Sequence, residues 1–147
     1  MVKKYLRDRV RSHLAEVFKT KTSPHSIALG FAIGTFIGIL PTPGFGVLMG
    51  LLVILVHERV NKLALFTALA LWNPLTLVLV YWASYRIGDV IFGSIPAEKY
   101  SIVILNHAYN FTRRFLVGNL VLATTMSTLS YFTVKKIARR YQSKKGE

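Results

Sequence analysis

The sequence predicts an all-α integral membrane protein in which proline and glycine break some of the membrane helices. Apolar residues make up 52% of the 147 residues and the mean hydropathy is +0.43, although the formal net charge is +13. Three windows, residues 27–56, 63–85 and 115–134, contain no Lys, Arg, Asp or Glu. A soluble domain would need elements that alternate core and solvent faces, and these windows do not alternate. Disorder is excluded by the apolar content, and a disulfide framework by the absence of cysteine.

The first 22 residues are predicted to form an amphipathic basic helix on the membrane surface. Leu6, Val10, Leu14 and Val17 have the spacing of one helix face, and basic side chains occupy most of the remaining positions. An oligomerisation helix would show the same pattern, so that alternative stays open.

The membrane domain, residues 23–134, contains two apolar segments of unusual length, 25–57 and 63–95. One crossing of the bilayer core needs about 20 residues and two need about 40 plus a turn. The first segment therefore fits neither, and Pro41-Thr42-Pro43-Gly44 divides it into two half-helices. The second segment is interrupted at Asn73-Pro74, where a kinked span is the alternative to a break. The two interruptions suggest a weak internal repeat.

The positive charge lies outside the apolar windows and predicts the orientation. Seven Lys or Arg precede the first window, and six follow the last one in a basic tail, residues 135–147. The positive-inside rule then predicts a multi-pass protein of the cell membrane with both termini in the cytoplasm. This needs an even number of crossings, so segment 25–57 is predicted to be a re-entrant hairpin, while segment 63–95 and the ordinary span 115–134 cross. Nucleic acid is not expected as a partner, because the basic residues adjoin apolar windows instead of alternating with aromatic residues on a soluble face.

Three residue pairs have the sequence of a helix start, namely Ser23-Pro24, Thr42-Pro43 and Asn73-Pro74. The last two lie inside apolar windows, where a helix start would leave backbone N–H groups and a positive dipole end within the membrane. Such an end attracts phosphate. The alternative is that Thr42 and Asn73 only cap their own helices.

The predicted lipid- or phosphate-binding residues combine these breaks with nearby polar side chains. Arg59 and Arg86 are expected at the membrane surfaces, where simple anchoring is the alternative role, and Arg86 has the spacing to pair with Asp89. The full set is Thr42, Pro43, Gly44, Arg59, Asn61, Asn73, Pro74 and Arg86.

Small residues recur every four positions in the first broken segment, at Gly30, Gly34 and Gly38. This spacing lets helix backbones approach closely in lipid, so it predicts a packing seam, either within the hairpin or between protomers. The sequence shows no sign of an enzyme, since its four histidines lack metal-ligand spacing and no acidic pair lies within an apolar window. Neither a metal nor a cofactor is expected.

The runs Ser23–Gly46, His57–Pro74 and Tyr81–Asp89 together resemble the small integral-membrane family catalogued as domain of unknown function 2062. The resemblance covers about residues 10–135. Members are often fused to, or encoded near, glycosyltransferases that use polyprenyl-phosphate carriers, which implies a role in lipid-linked sugar metabolism. The positions matching the family motif are Pro24, His25, Gly30, Gly34, Gly38, Pro41, Pro43, Gly44, Arg59, Asn61, Asn73, Pro74 and Gly88.

These observations predict a non-enzymatic membrane protein that binds or translocates an anionic lipid, with a polyprenyl phosphate as one candidate. The half-helix starts would hold the phosphate, and a homo-oligomer is expected because one short chain has too few spans to enclose a path. The alternative is a non-catalytic anchor or accessory subunit that serves a glycosyltransferase in trans.

Overall fold

The computed structural model describes residues 1–18, 22–93 and 96–146, and these residues form six helices and no strand. The predicted all-α class is therefore confirmed for this part of the chain. Two helices, α5 and α6, are long and apolar enough to cross a membrane, whereas α2, α3 and α4 are shorter apolar helices. The helices are α1 (Val2–Phe18), α2 (Pro24–Ile39), α3 (Gly46–Val56), α4 (Lys62–Leu71), α5 (Pro74–Phe92) and α6 (Val103–Lys145).

Side-chain caps fix the starts of three helices. Ser23, Asn61 and Asn73 each accept a hydrogen bond from a backbone N–H in the first turn of α2, α4 and α5, respectively. Pro24 and Pro74 occupy the first helical position, where the missing N–H of proline costs no hydrogen bond. The predicted starts at Ser23-Pro24 and Asn73-Pro74 are confirmed, and the cap at Asn61 is an addition.

The prediction that Thr42-Pro43 begins a helix is wrong. Both residues lie in the turn after α2, and α3 begins only at Gly46. Gly44 has a φ of 81°, a left-handed conformation that glycine adopts without steric cost and that reverses the chain here. The backbone N–H of Phe45 donates to the carbonyl of Thr42 at 3.1 Å, which closes the turn.

The glycine series on α2 packs against the second broken segment. A Cβ added at Gly30 or Gly34 would overlap a carbonyl oxygen of Asn61 or Leu65, and one added at Gly38 would lie 2.9 Å from the Trp72 side chain. Because the contacting positions rise together along both helices, α2 and α4 run parallel. The seam was expected within the hairpin or between protomers. It instead joins α2 to α4, through contacts with backbone at Gly30 and Gly34 and with the Trp72 side chain at Gly38.

Helix α6 packs along both α5 and α2 and so joins these two helices. Its 43 residues correspond to about 64 Å of α-helix. Its first half packs antiparallel on α5, with Arg114 beside Gly88. Its second half packs antiparallel on α2, where the Ser127 hydroxyl donates to the carbonyl of Ala32 at 2.8 Å. The predicted span 115–134 and the predicted tail from residue 135 are thus one continuous helix as far as Lys145.

The two basic ends of the chain lie on the same side of the molecule. Leu6 and Val10 of α1 line one groove together with Ile137 of α6. Residues 19–21, 94, 95 and 147 lie outside the described part of the chain, as do the side chains of Leu14 and Val17 from the predicted apolar face of α1. Within the described part, the helix predicted for the first 22 residues is present as α1 and packs beside the C-terminal end of α6.

Candidate functional site

A cavity of about 470 Å³ lies where the two helix breaks meet. Its wall consists of the end of α2, the turn after it, the first turn of α3, the end of α4 and one face of α5. Among the described residues that line it, none carries a charged side chain, and most are apolar. Four of the predicted site residues line it, namely Thr42, Pro43, Gly44 and Pro74.

Two polar atoms in the cavity wall are buried without a hydrogen-bond partner among the described residues. They are Oγ1 of Thr42 and Nε1 of Trp72. A buried polar group left unpaired costs about 1–3 kcal/mol. The indole Nε1 can only donate, and a threonine hydroxyl can donate as well as accept. Both atoms are covered by the surrounding protein, so a side-chain movement is needed before either can donate to an acceptor oxygen in the cavity.

The first turn of α3 adds backbone donors to the same wall. No side chain caps this helix, and its first hydrogen bond runs from the N–H of Met49 to the carbonyl of Phe45 at 2.9 Å. The N–H groups of Gly46 and Val47, two residues of the cavity wall, donate to no described residue. The start of α3 therefore keeps the free donors and positive dipole end that were predicted one turn earlier, at Thr42.

The start of α5 is different, because its donors are already used. Oδ1 of Asn73 accepts hydrogen bonds from the N–H groups of Leu75 at 2.9 Å and Thr76 at 3.3 Å. The N–H of Leu77 donates to the carbonyl of Asn73 at 3.0 Å, and Pro74 has no N–H. The prediction of free phosphate-binding donors at this helix start is therefore wrong.

This difference predicts the phenotype of an Asn73 variant. In Asn73→Ala, the loss of the cap should lower the free energy of unfolding by about 1 kcal/mol. Any affinity of the chain for an anionic lipid should not change once the variant is folded, because no free donor is lost at this helix start. Thermal unfolding in detergent and lipid binding, measured on the same sample, separate the two effects. Asn73→Ser keeps a capping oxygen and serves as the control. A loss of lipid affinity at unchanged stability would contradict the assignment of Asn73 as a cap.

Arg59 and Asn61 lie at the opposite end of α2. The backbone N–H of Asn61 donates to the carbonyl of Ser26 at 3.2 Å, and the Ser26 hydroxyl donates to the carbonyl of Arg59. From Ser26 to Ile39, α2 rises about 20 Å, so neither residue can line the cavity. Asn61 caps α4, and Arg59 is exposed beside the start of α2.

Arg86 also lies outside the cavity wall. It is exposed, and it follows the wall residue Tyr81 by five positions, which turns it about 140° around α5. The prediction that Arg86 pairs with Asp89 is wrong, because Asp89 forms an ion pair of 3.3 Å with Arg114 of α6. Arg114 is only 8% exposed, so its guanidinium needs a nearby counter-charge more than Arg86 does.

Asn119 of α6 supports the cavity and is absent from the predicted set. It is 1% exposed, and its Nδ2 donates to the carbonyl of Ile39 at 3.1 Å and to Oγ of Ser84 at 3.2 Å. It thereby holds the last residue of α2 beside α5, next to the turn that lines the cavity. The sequence signal for it is an amide inside an apolar window, where polar side chains tend to be functional.

Comparison with known proteins assigns the chain to a family. A family model described as an uncharacterized protein conserved in bacteria (DUF2062) matches residues 7–147. The chain belongs to this family. The resemblance that the sequence motifs indicated is thereby confirmed. No curated protein and no solved structure was found to match the chain.

Several residues at the DUF2062 motif positions have a structural role in this chain. Gly30 and Gly88 lie where two helix backbones make contact, and Gly44 has the left-handed conformation of the turn. Asn61 and Asn73 cap helices. The motif therefore includes positions that build the two breaks and the seam around the cavity.

Proposed function

We propose that this chain binds the phosphate of an anionic lipid in the cavity between the two helix breaks and passes the lipid between the leaflets of the membrane. The observation that supports it is the set of unpaired donors at a cavity that is otherwise mostly apolar. Gly46 and Val47 have unpaired backbone N–H groups, and Thr42 and Trp72 have unpaired side-chain donors that are covered in the empty cavity and would have to turn toward the ligand. Phosphate oxygens are strong acceptors, and helix N-termini with free N–H groups favour them.

The apolar surface beside the cavity suits the lipid tail. Val47 and Val78 line the cavity and are themselves 57% and 67% exposed. Leu51 and Leu75 extend this exposed apolar surface along α3 and α5. A headgroup held at the donors would therefore leave its hydrocarbon chain against apolar side chains, which face lipid when the protein is in a membrane. A polyprenyl phosphate is one candidate ligand.

The proposed membrane placement follows from the position of the basic ends. In this proposal α5 and α6 cross the bilayer, and both basic ends face the cytoplasm. The chain between α3 and α4 returns to the start of α2 through the Ser26–Arg59 contact, which supports a re-entrant α2–α3 hairpin. Two crossing helices enclose no path, so translocation requires a homo-oligomer.

Reconstituted vesicles test the proposal. Vesicles that contain the protein should exchange a fluorescent anionic phospholipid between leaflets faster than empty vesicles. The double variant Thr42→Val and Trp72→Phe should lower the exchange rate at least about tenfold, because each hydrogen bond to a charged group that is lost costs about 1.5–3 kcal/mol. The matched control is Thr128→Val with Trp82→Phe, since both of these side chains are exposed and neither lines the cavity.

Two results would contradict lipid translocation. Equal exchange rates for the double variant and its control would show that the donors at the cavity take no part in lipid translocation. Exchange no faster than in empty vesicles, together with co-purification of a glycosyltransferase, would instead support the role of an anchor or accessory subunit in trans.

A further inference from the structure

The groove between α1 and α6 combines exposed apolar side chains with two arginines. Its volume of about 710 Å³ lies within the range of about 300–1,000 Å³ that is usual for small-molecule sites. Leu6, Val10 and Ile137 line it, and each of these side chains is between 46% and 57% exposed. Arg7 and Arg11 line it as well, are exposed, and lie about one helix turn apart on α1.

From this combination we infer that the α1–α6 groove binds one anionic phospholipid. The phosphate would contact Arg7 and Arg11, and part of an acyl chain would lie against the apolar side chains. This site is separate from the cavity at the helix breaks, because no described residue lines both. The inference uses the membrane placement proposed above, but it does not depend on the function proposed for the cavity.

The two arginines have their charge available for a ligand. The only ion pair between described residues joins Arg114 to Asp89, so neither Arg7 nor Arg11 has a carboxylate partner in the described part of the chain. A guanidinium can donate two parallel hydrogen bonds to the oxygens of one phosphate. The surroundings also favour an anion, since thirteen of the 19 Lys and Arg lie in the two chain ends that meet at this groove.

The groove lies where α6 leaves its apolar window. Ile137 comes three residues after Val134, the last residue of that window, which corresponds to about 4.5 Å of helix. In the proposed placement this is the depth of the cytoplasmic headgroups, where anionic lipids give the membrane surface a negative potential. Leu129, about two helix turns earlier on α6, is 58% exposed, so α6 also presents apolar surface on the membrane side of the groove.

A lipid fits this groove better than a protein partner does. Seven described residues line the groove, whereas a stable protein–protein interface involves about 20–30 residues on each side. A phosphate with one acyl chain needs only a small site that is cationic at one end and apolar at the other. A helix that carries basic residues beside an apolar face is also typical of proteins that bind anionic membranes.

Two lipids of different headgroup charge test the inference. Phosphatidylglycerol carries one negative charge, and phosphatidylcholine with the same acyl chains has no net charge. Native mass spectrometry of the full chain in neutral detergent counts the bound lipid at a fixed ionic strength of about 0.15 M. Phosphatidylglycerol should bind at least about tenfold more tightly, because its phosphate charge is not balanced within the headgroup.

A matched pair of charge variants locates the phosphate. Arg7→Gln with Arg11→Gln should weaken phosphatidylglycerol binding at least about tenfold, because both charges that face the phosphate are removed. The control is Lys4→Gln with Arg9→Gln, which removes the same charge from α1 at positions that do not line the groove. The control should weaken binding less than about threefold, since exposed charges away from the ligand are screened.

A second matched pair tests the acyl chain. Val10 lines the groove and Val2 does not, although both are exposed on α1. Val10→Asn should weaken phosphatidylglycerol binding about fivefold, because it removes apolar surface that the chain would cover. Val2→Asn should leave the affinity within about twofold of the unmodified chain.

Three results would overturn the inference. The first is equal affinity of the unmodified chain for the two lipids, and the second is an equal loss for the arginine variant and its control. The third is absence of phosphatidylglycerol binding together with binding of an oligoglutamate peptide that depends on Arg7 and Arg11, which would assign the groove to an acidic protein partner.

The cavity variants separate this inference from the proposed function. The Thr42→Val and Trp72→Phe double variant should still bind phosphatidylglycerol through Arg7 and Arg11. Complete loss of binding in that variant would assign the bound lipid to the cavity and overturn the inference. Failure of lipid exchange in vesicles would instead overturn the proposed function, and lipid bound in the α1–α6 groove would still be counted in detergent.

Discussion

Replacing Gly118 with alanine is expected to cost the folded chain at least about 3 kcal/mol of stability, the upper end of the range for overpacked sites. A Cβ at this position would overlap the carbonyl oxygen of Ser84 and would lie 2.7 Å from the backbone nitrogen of Gly88. Both atoms belong to the backbone of α5, so no side chain can move aside and the two helices must separate. This loss outweighs the gain of about 1 kcal/mol in helix propensity from glycine to alanine.

The control for Gly118→Ala is the same substitution at Gly46. The nearest side-chain atom to a Cβ there is Cδ2 of Leu69 at 3.7 Å, an ordinary contact distance. Thermal unfolding in detergent, followed by circular dichroism, should therefore show a large decrease in melting temperature for Gly118→Ala and little change for Gly46→Ala. Similar melting temperatures for the two variants would mean that α5 and α6 do not cross as closely as described.

The second large effect is expected from removing the carboxylate of Asp89. The guanidinium of Arg114 is held between this carboxylate at 3.3 Å and the carbonyl of Gly93 at 2.8 Å. Asp89→Leu would leave a buried cation without a counter-charge, which typically costs about 3–5 kcal/mol in a fully buried pair. Because the Asp89 side chain is 32% exposed, we expect a smaller loss of about 2 kcal/mol.

A double variant distinguishes charge from packing at this pair. Asp89→Leu combined with Arg114→Met should recover most of the lost stability, because the arginine cation that Asp89→Leu leaves unpaired is then absent as well. Arg86→Gln serves as the surface control and should change stability by less than about 0.5 kcal/mol. A double variant less stable than Asp89→Leu alone would show that the arginine stabilises the crossing by its packing and not by its charge.

The features that sequence predicted well are local ones. Ser23-Pro24 and Asn73-Pro74 begin helices because a capping side chain and a proline act within one turn, independently of the rest of the chain. The positions of the two breaks were also predictable, since clustered proline and glycine interrupt a helix wherever it lies. The error at Thr42-Pro43 has a local cause too, because Gly44 reverses the chain before α3 can begin.

The features that sequence did not predict depend on residues far apart in the chain. The ion partner of Asp89 is Arg114, 25 positions away, whereas helix spacing suggested Arg86. The close contact of Gly118 with α5 depends on how the two helices cross, and the sequence around Gly118 alone does not determine that crossing. The candidate site shows the same difference between local and long-range features. Its turn residues were predicted from the local sequence, whereas Trp72 and Asn119 were not predicted.

The position of α6 has a consequence for biosynthesis. It follows every other helix in the chain, yet its two halves form the main contacts of α5 and α2. During translation α2 can pair with α4 early, through the glycine seam, but α5 must wait for its partner. The ribosome therefore delivers the helix that completes this packing last, and the face of α5 around Gly88 stays without its partner until α6 has been made.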